Sequence, residues 1–240
     1  MPDRAAIVTG ASRGIGLALA RALGEEGFGL TLTARKPDPL ARTAEELQRD
    51  GFEVEQRAAN MGDEEGIKEV VRLHRERFGR LDVLVNNAGV GIGAAAAEHQ
   101  TKYVDMQLDV NLRAIVLFYR ECLEMLRAAG GEHQSALVVN LASIAGKSPQ
   151  AWLSVYSATK AAVLAYTQAM NKELNGDGIK SVAFAPGFVD TDMTEFVKGS
   201  VPAEEMLRPE DIAEALRFLL RVSPACVVPE IVFQRPGETV

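Results

Sequence analysis

Short runs rich in apolar and β-forming residues recur along the chain, at Ala5–Thr9, Leu30–Thr33, Val54–Arg57, Val83–Val85, Leu137–Leu141, Val182–Phe184 and Val227–Phe233. Several carry no polar alternation, which suits strands buried on both faces. Between them, apolar residues repeat every three or four positions, predicting helices over Gly16–Glu26, Leu40–Asp50, Glu64–Phe78, Thr101–Ala128, Ser154–Leu174 and Pro209–Leu220. Strand and helix thus alternate, the signature of an α/β chain with a doubly wound parallel sheet and helices on both faces. The 240 residues suffice for one such domain and not for two plus a linker. The fourth and fifth helices are long, as expected of elements that pack a shared subunit interface. The stretch from Thr191 to Pro209 has no long period and reads equally as a lid or as an ordinary surface excursion.

The first strand leads into "TGASRGIG" and then directly into a helix. Glycines at Gly10, Gly14 and Gly16 permit a tight turn, a close backbone approach to an anion and close packing of the helix on the sheet. With Ser12, Arg13 and Ile15 they form a cradle at a helix N-terminus, where uncommitted N–H groups and the helix dipole favour a dinucleotide pyrophosphate. After the second strand, where an acidic residue would bind a ribose 2′-hydroxyl, the chain has Arg35 followed by Lys36. A guanidinium there suits a 2′-phosphate, and Arg13 could close from the other side, so NADP(H) is expected in preference to NAD(H).

A second local pattern is "VYSATKAAV", with Tyr156 and Lys160 one turn apart on a predicted helix. A free phenol is a poor base at neutral pH. A nearby ammonium and an oxidised nicotinamide would favour the phenolate, and a three-unit depression corresponds to roughly 4 kcal/mol. Such a phenol could give a proton to a carbonyl oxygen or take one from an alcohol. Ser143, at the end of the strand in "ALVVNLAS", would point into the crevice where ligands bind and hold the substrate oxygen.

Taken with "NNAG" at Asn86–Gly89, Asn111 and "PGFVDT" at Pro186–Thr191, these motifs resemble the short-chain dehydrogenase/reductase family, 3-ketoacyl-acyl carrier protein reductases among them. They stand in family order over about four fifths of the chain. The resemblance implies a Rossmann fold and a catalytic tetrad. In it Tyr156 is the acid/base, Ser143 orients the carbonyl, Lys160 lowers the phenol pKa and binds the nicotinamide ribose, and Asn111 holds a water that continues the proton relay. It also implies that Asn87, Ala88 and Gly89 lie near the adenosine and that Pro186, Gly187, Val189 and Thr191 flank the nicotinamide. Where the family often has an aspartate near the adenine, this chain has Asn60 and Met61; an amide can keep that contact. The C-terminal "VVPEIVFQRPGETV" lacks the Gly-rich finish of the family's tetrameric members, which leaves homodimer and homotetramer open.

Composition narrows the remaining classes. With 47% hydrophobic and 25% charged residues the chain reads as globular, without a membrane span or an export signal, which predicts a cytoplasmic protein. A net charge of -7 opposes binding to nucleic acid or anionic lipid, leaving a small-molecule carbonyl or alcohol as the expected partner. Cys122, in a helical pattern, and Cys226, in a strand pattern, are expected to be buried thiols, and no metal cluster is predicted. His74, His99 and His133 read as surface histidines, and Trp152 and Phe188 as candidate pocket walls. An NADP(H)-binding sensor without turnover would keep the glycine cradle and lose the acid/base; intact Ser143, Tyr156 and Lys160 argue against it. An epimerase or dehydratase of extended fold would need more chain after Thr191.

Overall fold

The expected strands assemble into one seven-stranded, all-parallel sheet in a computed structural model that describes residues 2–237. The strands are β1 (Ala5–Thr9), β2 (Gly29–Ala34), β3 (Val54–Ala58), β4 (Val83–Asn86), β5 (Ala136–Leu141), β6 (Ile179–Pro186) and β7 (Glu230–Phe233). Their order is β3-β2-β1-β4-β5-β6-β7, so the chain reverses its direction of winding between β1 and β4. At such a switch point the loops leaving neighbouring strands diverge and open a crevice beyond the carboxyl ends.

Period-2 alternation explains the layers. In β1, Ala6 and Val8 face one way and pack under α1 (Gly14–Glu25), α2 (Pro37–Arg49) and α7 (Pro209–Arg221), through residues such as Leu19, Leu40 and Leu216. Ile7 faces the other way, onto α3 (Glu64–Phe78), α5 (Ala114–His133) and α6 (Ser154–Leu174), with Phe118, Cys122 and Val163 in that layer. Both faces of the central strands are therefore covered, which is why β1, β4 and β5 are buried throughout.

The helix predicted over Thr101–Ala128 is longer and not uniform. It comprises α4 (Thr101–Leu108), a π-helical turn at Asp109–Arg113, and α5, which continues to His133. α1 and α2 begin earlier than periodicity indicates, α2 with Pro37 in its first turn, where a missing N–H is harmless.

Two expectations are corrected. His74 is not on the surface; it is fully buried, hydrogen-bonded to the Thr31 hydroxyl (2.8 Å) and the Arg80 carbonyl (2.8 Å), tying α3 to β2. Burial lowers its pKa to about 4. Cys226 is neither in a strand nor buried, because β7 begins only at Glu230. Pro224 and Pro229 bracket that stretch and cannot donate to a ladder. Cys122 is buried as expected, His133 is exposed, and His99 is half-buried beside the Ser154 hydroxyl. Among the described residues no helix is long and apolar enough to cross a membrane, and no His/Cys/Asp/Glu group could hold a metal ion.

Candidate active site

Three loops leave the carboxyl ends of β1, β4 and β5 and meet at the switch point. The first is the glycine loop. Gly10 and Gly14 have φ of +65° and +55°, in the left-handed region that only glycine enters freely. A Cβ on Gly16 would lie 2.3 Å from the Gly10 carbonyl oxygen, so the loop can close on the helix only without a side chain there. Arg13 is the N-cap of α1 and makes no side-chain capping bond, which leaves the first N–H groups of that helix uncapped. These features fit an anion of pyrophosphate type. The loop is held to β4 by Thr9, whose hydroxyl accepts from the N–H groups of Asn87 and Ala88 (2.9 Å each), and by the Asn87 amide, which donates to the Thr9 carbonyl (2.8 Å). Gly14 abuts Thr191, bringing the segment after β6 to the same cradle.

The second loop, Asn87 to Gly93, is fastened by carboxamides on the far side. Asn111, fully buried in the π turn, accepts from Val90 N–H (2.8 Å) and donates to the Val90 carbonyl (2.9 Å) and to the Thr159 hydroxyl (3.0 Å). One turn earlier, buried Gln107 accepts from Ile92 N–H (3.1 Å). Gly89 faces the Asn111 amide oxygen and the Lys160 ammonium, each 3.4 Å from where its Cβ would stand. Gln107 and Thr9 were not legible as site residues. Their i, i+4 spacing to Asn111 and strand-end position, respectively, are the signals that could have marked them.

The third loop carries Ser143, buried, which caps the short turn Ile144–Gly146 by accepting from Ala145 N–H (3.1 Å) and donates to the Pro186 carbonyl (3.4 Å). The Ser143 hydroxyl also stands beside the Tyr156 phenol, in the first turn of α6. Lys160, one turn on and 3% exposed, donates to the Leu141 carbonyl (2.6 Å), with its nitrogen 5.7 Å from the centroid of the Tyr156 ring. Ser143, Tyr156, Lys160 and Asn111 are thus brought together.

The electrostatics depart from the sequence expectation in one respect. Burial raises the Tyr156 pKa above its ordinary value, opposed by the Ser143 bond, and burial lowers Lys160 to about 8. In the protein alone desolvation dominates, so Tyr156 stands as a proton donor.

The remaining predicted positions divide. Arg35 and Lys36 are exposed after β2, and among the described residues neither forms an ion pair. Arg13 is exposed and ion-paired with Asp192. Ser12 contributes its carbonyl to the Thr43 hydroxyl, and Ile15 packs on the apolar layer. Asn60 is exposed, its amide oxygen accepting from Gly62 N–H, while the Met61 side chain is buried in the α3–α5 layer. Gly187 bonds the Phe233 carbonyl, and Val189 bridges in parallel to Leu207. That bridge closes the base of the 191–209 excursion, which consists of 3-10 turns at Asp192–Val197 and Ala203–Glu205. Of the two proposed pocket walls, Trp152 is exposed and Phe188 lies under the Arg235 guanidinium (5.9 Å).

Comparison with known proteins agrees with this geometry. The family model described as short chain dehydrogenase matches residues 4–200. An uncharacterised oxidoreductase of Staphylococcus aureus is 34% identical over 220 residues, 92% of each chain. The structure of an alcohol dehydrogenase from the archaeon Thermococcus sibiricus, complexed with 5-hydroxy-NADP, is 33% identical and superposes with a TM-score of 0.85 over 98% of this chain and 99% of that one. A variant of actinorhodin polyketide ketoreductase with NADPH is 32% identical, with a TM-score of 0.86 over 95% of both chains.

Proposed function

Because the chain belongs to the short-chain dehydrogenase family, we propose that this oxidoreductase is NADP(H)-dependent and interconverts a carbonyl and a secondary alcohol, with Tyr156 as general acid/base. The observation that carries the reading is the placing of the Tyr156 phenol beside the Ser143 hydroxyl, with Lys160 one helical turn away, at the crevice beneath the glycine loop. The glycine cradle would hold a dinucleotide by its pyrophosphate, and the nicotinamide of that cofactor would supply or accept the hydride.

The chain's own residues would do the rest. Ser143 and Tyr156 present two hydroxyls to one substrate oxygen, and the Tyr156 hydroxyl gives it a proton as the carbonyl is reduced. Raised by burial, the phenol is protonated at neutral pH, which suits that direction. Lys160 places a positive charge behind the ring and Asn111 fixes the loop that faces it. The exposed, unpaired Arg35 supports recognition of a 2′-phosphate, as do the NADP-type ligands of the structural neighbours named above.

NADPH oxidation against a panel of ketones and aldehydes, including 3-ketoacyl thioesters, tests the proposal. Tyr156→Phe should lower turnover by about 10²–10⁴-fold while leaving NADPH binding unchanged. Loss of NADPH binding in that variant would mean the residue maintains structure instead.

A further inference from the structure

Resting on the carbonyl-reductase reading, we infer that Trp152 forms the substrate's apolar seat and that the preferred substrate is a ketone or aldehyde bearing a flat aromatic ring within one or two carbons of the carbonyl. The backbone singles Trp152 out. Its φ is +69°, and among the described non-glycine residues only Gln134 shares a positive value. Gln134 ends α5, where a left-handed residue is ordinary. Trp152 ends no helix, so its conformation is strained and must be held by its surroundings.

Two contacts hold it. Ala94 N–H donates to the Trp152 carbonyl (2.9 Å), and the indole lies on Gly93, where a Cβ would come within 2.5 Å of two ring atoms, Cδ2 and Cε3. Only glycine allows that approach. Two residues back along the loop, Gly91 packs on the Tyr156 ring, 3.5 Å from Cδ2 to a built Cβ. Two residues span no more than about 7 Å of chain. The phenol and the indole therefore rest on one loop, on glycines two residues apart, and that loop is itself fixed by Asn111 and Gln107.

The indole's other side is open. Trp152 is 55% exposed, and across from it stands Phe196, 63% exposed, with ring centroids 6.4 Å apart and planes inclined by 55°. Two tilted, water-exposed rings from different segments make a wedge whose surfaces favour offset or edge contact with a third ring. Exposing both rings is unfavourable in the free protein, and a flat apolar group entering the wedge relieves it. A ring one or two carbons from the reacting carbonyl is the substituent this seat would select.

Trp152 is the single tryptophan of the chain, so its emission reports the seat directly. Phenylacetone and butanone, which differ by the ring, are titrated into the protein with NADP+ bound, and both are assayed for NADPH-dependent reduction. Phenylacetone should change the emission saturably, beyond the collisional quenching seen with butanone. Trp152→Ala should raise the KM for phenylacetone about tenfold and that for butanone by less than about twofold, and Trp152→Phe should restore most of the loss. Saturable emission change with neither ketone reduced sinks the redox reading and upholds the seat. Unchanged emission at high phenylacetone, or equal KM effects on both ketones, overturns the seat, whatever the turnover.

Discussion

Lys160 points its ammonium at the Leu141 carbonyl oxygen, 2.6 Å away at the end of β5, rather than at the phenol it stands beside. A buried cation thus spends its best hydrogen bond on the sheet, and its charge reaches Tyr156 only through space. The consequence is a titration. Burial lowers Lys160 from 10.5 to about 8, roughly 3 kcal/mol of differential interaction. With the folded-state pKa depressed below the unfolded value, the unfolded chain holds more protons between about pH 8 and 10.5, so this group's contribution to stability rises with pH across that window. Subtracting the unfolding free energy of Lys160→Met from that of the wild type over that range isolates the slope. A flat difference would show the ammonium is not desolvated.

Gly16→Ala should abolish tight NADPH binding. Its Cβ would sit 2.3 Å from the Gly10 carbonyl oxygen and 2.5 Å from the Asn87 amide, so the cradle must open to admit it. Calorimetry should show affinity falling by at least about tenfold; retained affinity would mean that the loop relaxes without cost.

Gln107→Leu leaves the Ile92 N–H without its acceptor in a partly buried loop, at a cost of about 1–3 kcal/mol. Because that loop seats Tyr156 through Gly91, turnover should fall by more than NADPH affinity, since Gln107 bonds the Ile92 end of the loop and not the Asn87 end that holds the glycine cradle. Gln107→Glu, which retains an acceptor oxygen, should recover turnover in part. Equal loss in both variants would assign Gln107 to general stability.

His74 supplies an acid limb. Held neutral by burial with a pKa of about 4 against the ordinary 6.5, it binds its proton later than the unfolded chain does as pH falls. Its contribution to stability is therefore present above pH 6.5 and lost progressively toward pH 4, up to roughly 3 kcal/mol. Denaturant melts of wild type and His74→Gln across that range should converge at the acid end.

His74 also shows where sequence reading stops. It lies on the same helical face as Ile67, Val70, Val71 and Phe78, all buried, so the 3.6-residue period was available to place it inside. Its residue type argued the other way. The glycine loop, Ser143 and the Tyr156/Lys160 pair were legible because their chemistry depends on short spacings and on position after a strand. Gln107, Thr9 and the strained Trp152 act through partners 15 to 79 residues away in sequence, and the sheet order that joins them is not written in any local pattern. The direction of the Tyr156 shift was missed for a related reason. Helical spacing gives the proximity of Lys160, whereas desolvation depends on everything packed around the ring.

The widened turn at Asp109–Arg113 gives one continuous rod two rotational phases. Each residue of an α-helix advances about 100°, so the broader turn offsets everything beyond it. Upstream and within the turn, Gln107 and Asn111 are aimed at the loop that seats the phenol; downstream, Ile115, Phe118, Cys122 and Leu126 are aimed at the sheet. Shortening that turn by a single residue would force one of the two sets out of alignment, whereas side chains can be exchanged on either half without turning the other.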